Sequence, residues 1–166
     1  MTAKSLLTAY AGYNLWANKE IAQWLHQYPE DLLYRETPSS FSTIHTTILH
    51  IWDAEYVWLS RLRNEPLHAF PNKVFEGNRE KLFREWHDYS ADFLQEVLDS
   101  SEEELEQIRT YQAYGKTEPL SGIFMIQTCM NHGSYHRGQI ITMGRMLEMS
   151  SPPKTDFIQY CRENLS

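Results

Sequence analysis

The feature that most constrains this chain is a pair of histidines, His132 and His136, four residues apart in a segment with helical periodicity. On an α-helix, residues at this spacing lie on one face, about 40° apart in azimuth and about 6 Å apart along the axis. Two imidazoles placed in this way can bind one metal ion. At helical steps the same face carries Met125, Cys129, Ile140, Met143 and Leu147. The pair therefore points into a core, where unpaired ring nitrogens would cost about 1–3 kcal/mol each.

This buried pair has two interpretations. The commoner outcome for histidines at this spacing is that each ring hydrogen-bonds a tyrosine, an aspartate or the backbone. The alternative is a metal site, which would need a third ligand on another helix that faces the same core. His50 meets that requirement because it lies on a seam of smaller residues: Thr43, Thr47, Ala54 and Val57. Asp53 and Glu55 follow it, so a carboxylate could orient the ring as a hydrogen-bond acceptor.

Hydrophobic periodicity predicts an all-α fold. Apolar residues recur at three- and four-residue steps in four long segments, at about residues 3–27, 42–63, 79–99 and 122–149. The segment at 64–77 contains two prolines and a glycine, which indicates a long crossover between the second and third helices. Four long amphipathic helices joined in this way are typical of a four-helix bundle, where metal sites are built from residues on facing helices.

Two shorter elements complete the predicted fold. Residues 108–114 alternate in polarity before a turn at Gly115, which favours a short hairpin ahead of the fourth long helix. Pro152 and Pro153 end that helix, and a short C-terminal helix is expected to follow, reaching about residue 165. At 166 residues and 42% apolar, the chain has enough material for one hydrophobic core, so we expect a single domain over residues 1–166.

The bulk composition argues against several classes of partner. The net charge is -7 and no cluster of Lys or Arg offsets it, which disfavours nucleic acid. No apolar run approaches the roughly 20 residues needed to span a bilayer, and the N-terminus lacks the apolar region of a secretion signal. The two cysteines are far apart and form no CxxC pair, so a reducing cytoplasm fits best.

Three further residues of the fourth helix bear on the site. Cys129 lies one turn before His132 and could close a coordination shell, act as a nucleophile or simply pack in the core, its commonest role. Gly133 and Gly138 each cost a helix about 1 kcal/mol relative to alanine. A helix tolerates that cost where another backbone or a ligand comes close.

The residues near the candidate histidines exclude several known kinds of metal site. A di-iron carboxylate site needs Glu-x-x-His on two helices, and none of the three candidate histidines follows a glutamate at that spacing. The HExxH pattern of zincins and the CxxCH pattern of covalent haem are also absent. Three protein ligands leave a position open for water or substrate, whereas a structural zinc usually has four. Neutral imidazoles suit several metals; we expect zinc or nickel, with iron or manganese as alternatives.

Four motifs give the chain a family resemblance that covers nearly its whole length. They are residues 13–18 (YNLWAN), 49–55 (LHIWDAE), 131–140 (NHGSYHRGQI) and 156–160 (DFIQY). In these the sequence resembles the DinB/YfiT-like proteins, the damage-inducible DinB superfamily. The resemblance implies a four-helix bundle with a bound divalent metal, frequently a homodimer. Matched motif by motif, the metal-binding histidines of that family fall on His50, His132 and His136.

The resemblance also implies a chemistry. Characterised relatives include S-transferases and isomerases that use low-molecular-weight thiols such as bacillithiol, mycothiol or glutathione. We therefore expect a metal-dependent thiol S-transferase acting on a small-molecule substrate, with a metal-dependent hydrolase and a non-catalytic stress-induced metal-binding protein as alternatives. The residues expected to face the pocket and hold the thiol and the electrophile are Tyr13, Asn14, Trp16, Tyr135, Arg137 and Gln139. For Asn14 the simpler interpretation is a solvated side chain at the edge of its helix stripe.

Overall fold

Helices carry most of the chain in the computed structural model, which describes residues 2–113 and 115–165. The long helices are α1 (Ala3–His26), α2 (Ile44–Arg63), α4 (Arg79–Asp99) and α6 (Gly122–Met146). The short ones are α3 (Pro71–Val74), α5 (Glu102–Glu106) and α7 (Phe157–Asn164), with a 3₁₀ turn at Glu30–Tyr34. A two-stranded sheet consists of β1 (Ile108–Ala113) and β2 (Lys116–Ser121). The predicted all-α class is confirmed, because the long elements are all helices and the small sheet contains the only strands in the described ranges.

Side chains at the helix starts explain where the long helices begin. Thr2 and Thr43 each accept a hydrogen bond from a backbone N–H three residues on, which caps α1 and α2. Asn78 does the same for α4. Ser121 precedes α6 but makes no side-chain cap bond. The α6 helix also ends at Met146, three residues before the predicted boundary, with Glu148 in the left-handed region at φ 62°.

The long helices pack so that each contacts two others. Helix α1 lies against α4 and α6, and α2 lies against the same two helices. One part of the core surrounds Trp86 and Ile48, and another surrounds Leu59 and Phe93. As a consequence, α2 and α6, the two helices that carry the candidate ligands, are direct neighbours. None of the helices in the described ranges is both long and apolar enough to cross a membrane.

The connections agree with the sequence prediction in outline. The segment between α2 and α4 is a long crossover, and it contains the short helix α3. Strands β1 and β2 form the predicted hairpin, paired antiparallel from Ile108 with Ser121 to Ala113 with Lys116. Gly115 supplies the turn at φ 75°, while Tyr114 beside it lies outside the described residues. The 3₁₀ turn and α3 were not predicted, since elements this short carry no periodic signal.

Candidate metal centre

Helices α2 and α6 bring the three predicted histidines together. His50 projects from α2, and His132 and His136 project from successive turns of α6. The ring centroids lie 4.8 Å apart for His50 and His132, 4.6 Å for His50 and His136, and 4.4 Å for the pair on α6. One ring nitrogen from each residue lies within 4.8 Å of the other two. Three nitrogens this close can bind a single cation between them. We call this group the histidine cluster.

Burial keeps the rings in the form that binds metals. Removal from water lowers the pKa of each ring, and the neighbouring imidazoles add to that effect at His50 and His132. The pKa of His132 falls to about 4. All three rings are therefore neutral near pH 7, and neutral imidazole is the metal ligand.

One ring has a protein partner that fixes its orientation. The Nδ1–H of His136 donates to Oε1 of Gln139 over 2.7 Å, and the Gln139 amide in turn donates to Oγ of Ser40. This leaves Nε2 of His136 with its lone pair free for a ligand. On the other side, Phe41 stacks on His50 with the ring centroids 4.2 Å apart. An amide from α6 and an aromatic ring from the preceding loop thus set the geometry of the cluster.

The predicted orientation of His50 by a carboxylate is wrong. Asp53 instead accepts the backbone N–H of Asn72, at the first turn of α3. Glu55 points to the opposite side of α2, because five residues rotate a helix by about 140°, and it hydrogen-bonds Asn14, Asn18 and Ser90 there. The groups seen to orient the rings, Gln139 and Phe41, are therefore both neutral.

An unpartnered atom shows that the cluster fits a cation. Nε2 of His132 is buried and has no hydrogen-bond partner among the described residues. Such an atom costs free energy unless something binds it. A divalent metal ion would take the lone pair of this nitrogen together with those of His50 and His136. The first interpretation of the pair, in which the protein satisfies every ring, fails for His132, while one nitrogen of His136 is satisfied by a glutamine amide.

A cavity of about 570 Å³ adjoins the cluster. His50 and His132 form part of its wall, and Trp58 and Arg61 of α2 and Tyr111 of the hairpin form another part. The guanidinium carbon of Arg61 lies 4.6 Å from the Trp58 ring centroid and 4.0 Å from that of Tyr111. This volume suits a small organic molecule. The site therefore combines a set of metal ligands with space for a substrate.

Comparison with known proteins identifies the family of the chain and agrees with its fold. The sequence profile described as the DinB family matches residues 1–163. The chain belongs to the DinB family. Among curated proteins it is similar to Protein DinB of Bacillus subtilis (strain 168), with 26% identity over 157 residues that cover 89% of each chain.

Solved structures of DinB-like proteins share the fold. One from Bacillus cereus ATCC 10987 aligns with a TM-score of 0.69 and 17% identity, covering 86% of this chain and 91% of that one. One from Bacillus subtilis aligns with a TM-score of 0.60 and 16% identity, covering 94% of this chain and 98% of that one. At these identities the likeness concerns the fold alone.

In this DinB-family chain, two of the six residues expected to hold a substrate lie near the histidine cluster. Tyr135 and Gln139 flank His136 and are hydrogen-bonded to each other. They line a second cavity, of about 470 Å³, between α6 and residues 38–40, and not the one beside His50. Tyr135 is also largely exposed. Their roles in binding stay predictions.

None of the other four is among the described residues that line the larger cavity. Tyr13 and Trp16 pack against Tyr160 of α7, and the Tyr13 hydroxyl donates to the carbonyl of Thr155. Helix α7 thus covers this face of α1, and the role of these two residues in binding stays a prediction.

Asn14 and Arg137 are 2% and 1% exposed and hydrogen-bond each other, so neither a solvated Asn14 nor a pocket-facing one is observed. They belong to a buried group that sequence reasoning missed: Asn14, Asn18, Glu55, Ser90 and Arg137. We call this group the polar network. A signal for it existed in the Asn14–Asn18 pair, which is spaced like the histidines and lies along the apolar stripe of α1.

The role of Cys129 follows from its surroundings. It is 2% exposed and packs among apolar residues such as Leu7, Leu59 and Ile126. Burial raises the pKa of its thiol well above the usual value, which suppresses the thiolate that a ligand or a nucleophile needs. It also lies outside the group of mutually close ligand atoms. Of the three alternatives, packing in the core is the one the DinB-family structure supports.

Proposed function

We propose that this protein is a metal-dependent thiol S-transferase that uses a low-molecular-weight thiol. The observation that carries the proposal is the unpartnered Nε2 of His132 within a set of three neutral imidazoles beside a cavity. Three protein nitrogens leave room for an exchangeable ligand, as in catalytic zinc sites. Zinc or nickel fits this donor set best, and iron or manganese comes next.

The metal would supply ionisation of the thiol. A free thiol with a pKa near 8.5 is about 3% thiolate at pH 7, and coordination to a divalent ion removes the proton outright. Ionisation alone is worth at most about thirtyfold, and metal binding lowers the nucleophilicity of the sulfur. Most of the rate enhancement must therefore come from holding the thiol and the electrophile together.

Residues of the larger cavity are placed to do that holding. Trp58 and Tyr111 offer apolar ring surface, and Asn72 and Gln112 offer polar groups around the same volume. Asp53, bound to the first turn of α3, ties the crossover to α2 and keeps this wall in place. These residues replace four of the six predicted from the sequence as the candidate contacts for a substrate.

The proposal is tested with the zinc-loaded protein and 1-chloro-2,4-dinitrobenzene, with and without bacillithiol or glutathione. The reaction forms a sulfur–carbon bond, releases chloride and transfers the thiol proton to solvent, and its product is followed by absorbance. We expect turnover that depends on thiol and on metal, and that His50→Ala abolishes. Turnover indifferent to thiol would exclude the transferase and favour the hydrolase, in which the ion activates water.

A purely structural metal site is the alternative from another class. The sequence feature that favoured it was Cys129 as a fourth ligand, and the buried position of this residue in the apolar core weakens that case. X-ray absorption on the zinc protein separates the two. Nitrogen ligands with an exchangeable oxygen support the enzyme, whereas a bound sulfur supports the structural site.

We also propose a homodimer in the cytoplasm. One exposed face of α6 presents the apolar side chains of Phe124, Tyr135 and Met146, which a second subunit would cover. A methyl group added at Gly138 would meet nothing within 4 Å, so the predicted close approach at this glycine is not observed within the described chain. Light scattering coupled to size exclusion tests the assembly, and Phe124→Glu should give a monomer.

A further inference from the structure

The polar network connects all four long helices at the centre of the fold. Nδ2 of Asn14 and Nδ2 of Asn18, both on α1, donate to Oε1 of Glu55 on α2 over 2.6 and 3.0 Å. Ser90 of α4 donates to the other oxygen of Glu55 over 2.8 Å. Arg137 of α6 donates from Nη1 to the amide oxygens of Asn14 and Asn18 over 2.7 and 2.9 Å.

Each member of this network is nearly inaccessible to solvent. Asn18 is 0% exposed, and Glu55, Ser90 and Arg137 are each 1% exposed. The carboxylate and the guanidinium make no direct contact in the network. They are joined through two amides, each of which donates to Glu55 and accepts from Arg137. A chain of this kind is satisfied in one relative arrangement of the helices, because hydrogen bonds weaken steeply with distance and angle.

The network and the histidine cluster share two helices. Arg137 follows His136 directly on α6, and Glu55 follows His50 by five residues on α2. The same pair of asparagines on α1 therefore fixes the axial position and the rotation of both ligand-bearing helices. Apolar packing alone tolerates small repacking shifts. A metal site requires its ligands within about 0.5 Å of the productive geometry.

Gly133 shows how closely the two groups are built together. It follows His132 directly in the sequence. A methyl group on it would be 3.0 Å from Nη1 of Arg137 and 3.0 Å from Oδ1 of Asn14. The glycine predicted to mark a close approach therefore makes room for the contact between the guanidinium and the amide. Gly138 on the same helix has no such neighbour.

We infer that Asn14, Asn18, Glu55 and Arg137 are positioning residues for the metal centre: by fixing α2 and α6 against α1, they set the distance between His50 and the pair His132 and His136. This inference rests on the proposed metal site and extends it to residues that touch neither metal nor substrate. It assigns the four side chains an effect on metal affinity in addition to their effect on stability.

The test uses two glycine variants of the same helix. Gly133→Ala and Gly138→Ala both replace a helical glycine with the residue that favours a helix most. Only the first places a methyl group against Arg137 and Asn14. We expect Gly138→Ala to keep the wild-type affinity for Zn²⁺, measured by competition with a chromophoric chelator. Gly133→Ala should weaken it and alter the visible spectrum of the Co²⁺-substituted protein.

A second pair separates positioning from stability. Asn14→Leu keeps the side-chain size and removes both hydrogen bonds, and it should lower Zn²⁺ affinity by about tenfold or more, as loss of outer-shell partners does elsewhere. Val97→Ala, buried in α4 beside Phe93, should lower the melting temperature and leave Zn²⁺ affinity unchanged.

The outcomes distinguish this inference from the proposed function. Wild-type protein that binds no Zn²⁺ overturns the metal site itself. Wild-type binding with unchanged affinity and Co²⁺ spectrum in both Gly133→Ala and Asn14→Leu overturns the positioning role and leaves the metal site intact. Affinity lost in Val97→Ala to the same degree as in Asn14→Leu also overturns it, because the effect would then be one of general stability.

Discussion

Helix α6 carries a buried polar group on each of two sides, and the two groups differ in how completely the protein satisfies them. Toward α1, Arg137 donates to two amide oxygens and to the Ser134 hydroxyl, and of its nitrogens only Nε has no partner among the described residues. Toward α2, Nε2 of His132 has no partner in the same described ranges, and His136 is bonded to Gln139. Polar residue types alone would not tell these sides apart.

The difference separates structure from function. A network whose donors and acceptors meet within the chain stabilises one arrangement of helices and needs no ligand. A cluster with neutral lone pairs and no donors facing them is costly until a cation arrives. The polar network should therefore govern stability and act on metal binding only through the positions of α2 and α6, whereas the histidine cluster should supply the metal ligands themselves. The following changes test that division, in order of expected size.

The largest effect is expected from His132→Ala. Removing one of three ligands should reduce bound Zn²⁺ from about one ion per chain to near none, as measured by elemental analysis. The stability of the metal-free protein should be unchanged or slightly higher, since the substitution deletes an unsatisfied buried nitrogen. Added Zn²⁺ should then raise the melting temperature of the wild type and not of the variant. A large loss of metal-free stability would break the division.

Arg137→Met should act first on stability, because it removes a member of the polar network and none of the three ligands. It leaves the carboxylate of Glu55 and two amide oxygens without their cationic partner, so the free energy of unfolding should fall by about 3–5 kcal/mol in urea titrations. Adding Glu55→Gln to this variant should restore part of the loss, because the buried charge is then gone. Losses that simply add in the double variant would show that the two residues are not coupled.

The histidine cluster could be predicted from the sequence because the patterns that indicate it each lie within a single helix. The spacing of His132 and His136 and the apolar stripe around them are properties of one helix, and the stripe is buried as predicted. For the same reason the long helices could be predicted to within a few residues of their ends. The exact ends depend on caps such as Thr43. The third ligand could be proposed because His50 also lies on a seam of its own helix.

What sequence reasoning missed depends on contacts between distant residues. Asn14 and Arg137 are 123 positions apart, so no local pattern shows that they meet. Arg137 was expected in the substrate pocket because its motif also carries His132 and His136, and Asn14 because it belongs to another motif of the same resemblance. The side of the helix on which each residue lies, and the helix that covers it, are set by tertiary packing. In the same way, no local pattern shows that α7 covers Tyr13 and Trp16.

The polar network should also give stability a pH dependence. Burial raises the pKa of Glu55 from 4.5 to about 7, against the opposing effects of its hydrogen bonds and of Arg137. A raised pKa means that folding favours the protonated form. Its contribution to stability is complete below pH 4.5 and is lost as the pH rises through about 7, by up to about 1.4 kcal/mol per pH unit.

Glu55→Gln isolates this dependence. The Gln amide can keep the contacts to Asn14, Asn18 and Ser90, and it does not titrate, so the difference in unfolding free energy between wild type and variant should slope between pH 4.5 and 7 and flatten above. Charged and titratable neighbours of Glu55 are Arg137 and Cys129 of α6 and Tyr89 of α4, and the cysteine and tyrosine stay protonated in this range. A flat difference would show that Glu55 stays ionised throughout.

The smallest effect is expected at Gln139. This residue satisfies a nitrogen of the histidine cluster from within the protein, as the members of the polar network satisfy one another. Its Oε1 accepts Nδ1–H of His136, which holds the ring in the tautomer that offers Nε2 to a cation. Gln139→Leu keeps the size and removes the acceptor, so Zn²⁺ affinity should fall by about tenfold while the metal-free melting temperature stays nearly constant. Gln139→Glu restores an acceptor and should recover the affinity. If the leucine variant instead lost stability and kept its Zn²⁺ affinity, Gln139 would stabilise the fold and would not prepare the metal ligand. An unpartnered ring nitrogen would then no longer be enough to identify the metal-binding side of the helix.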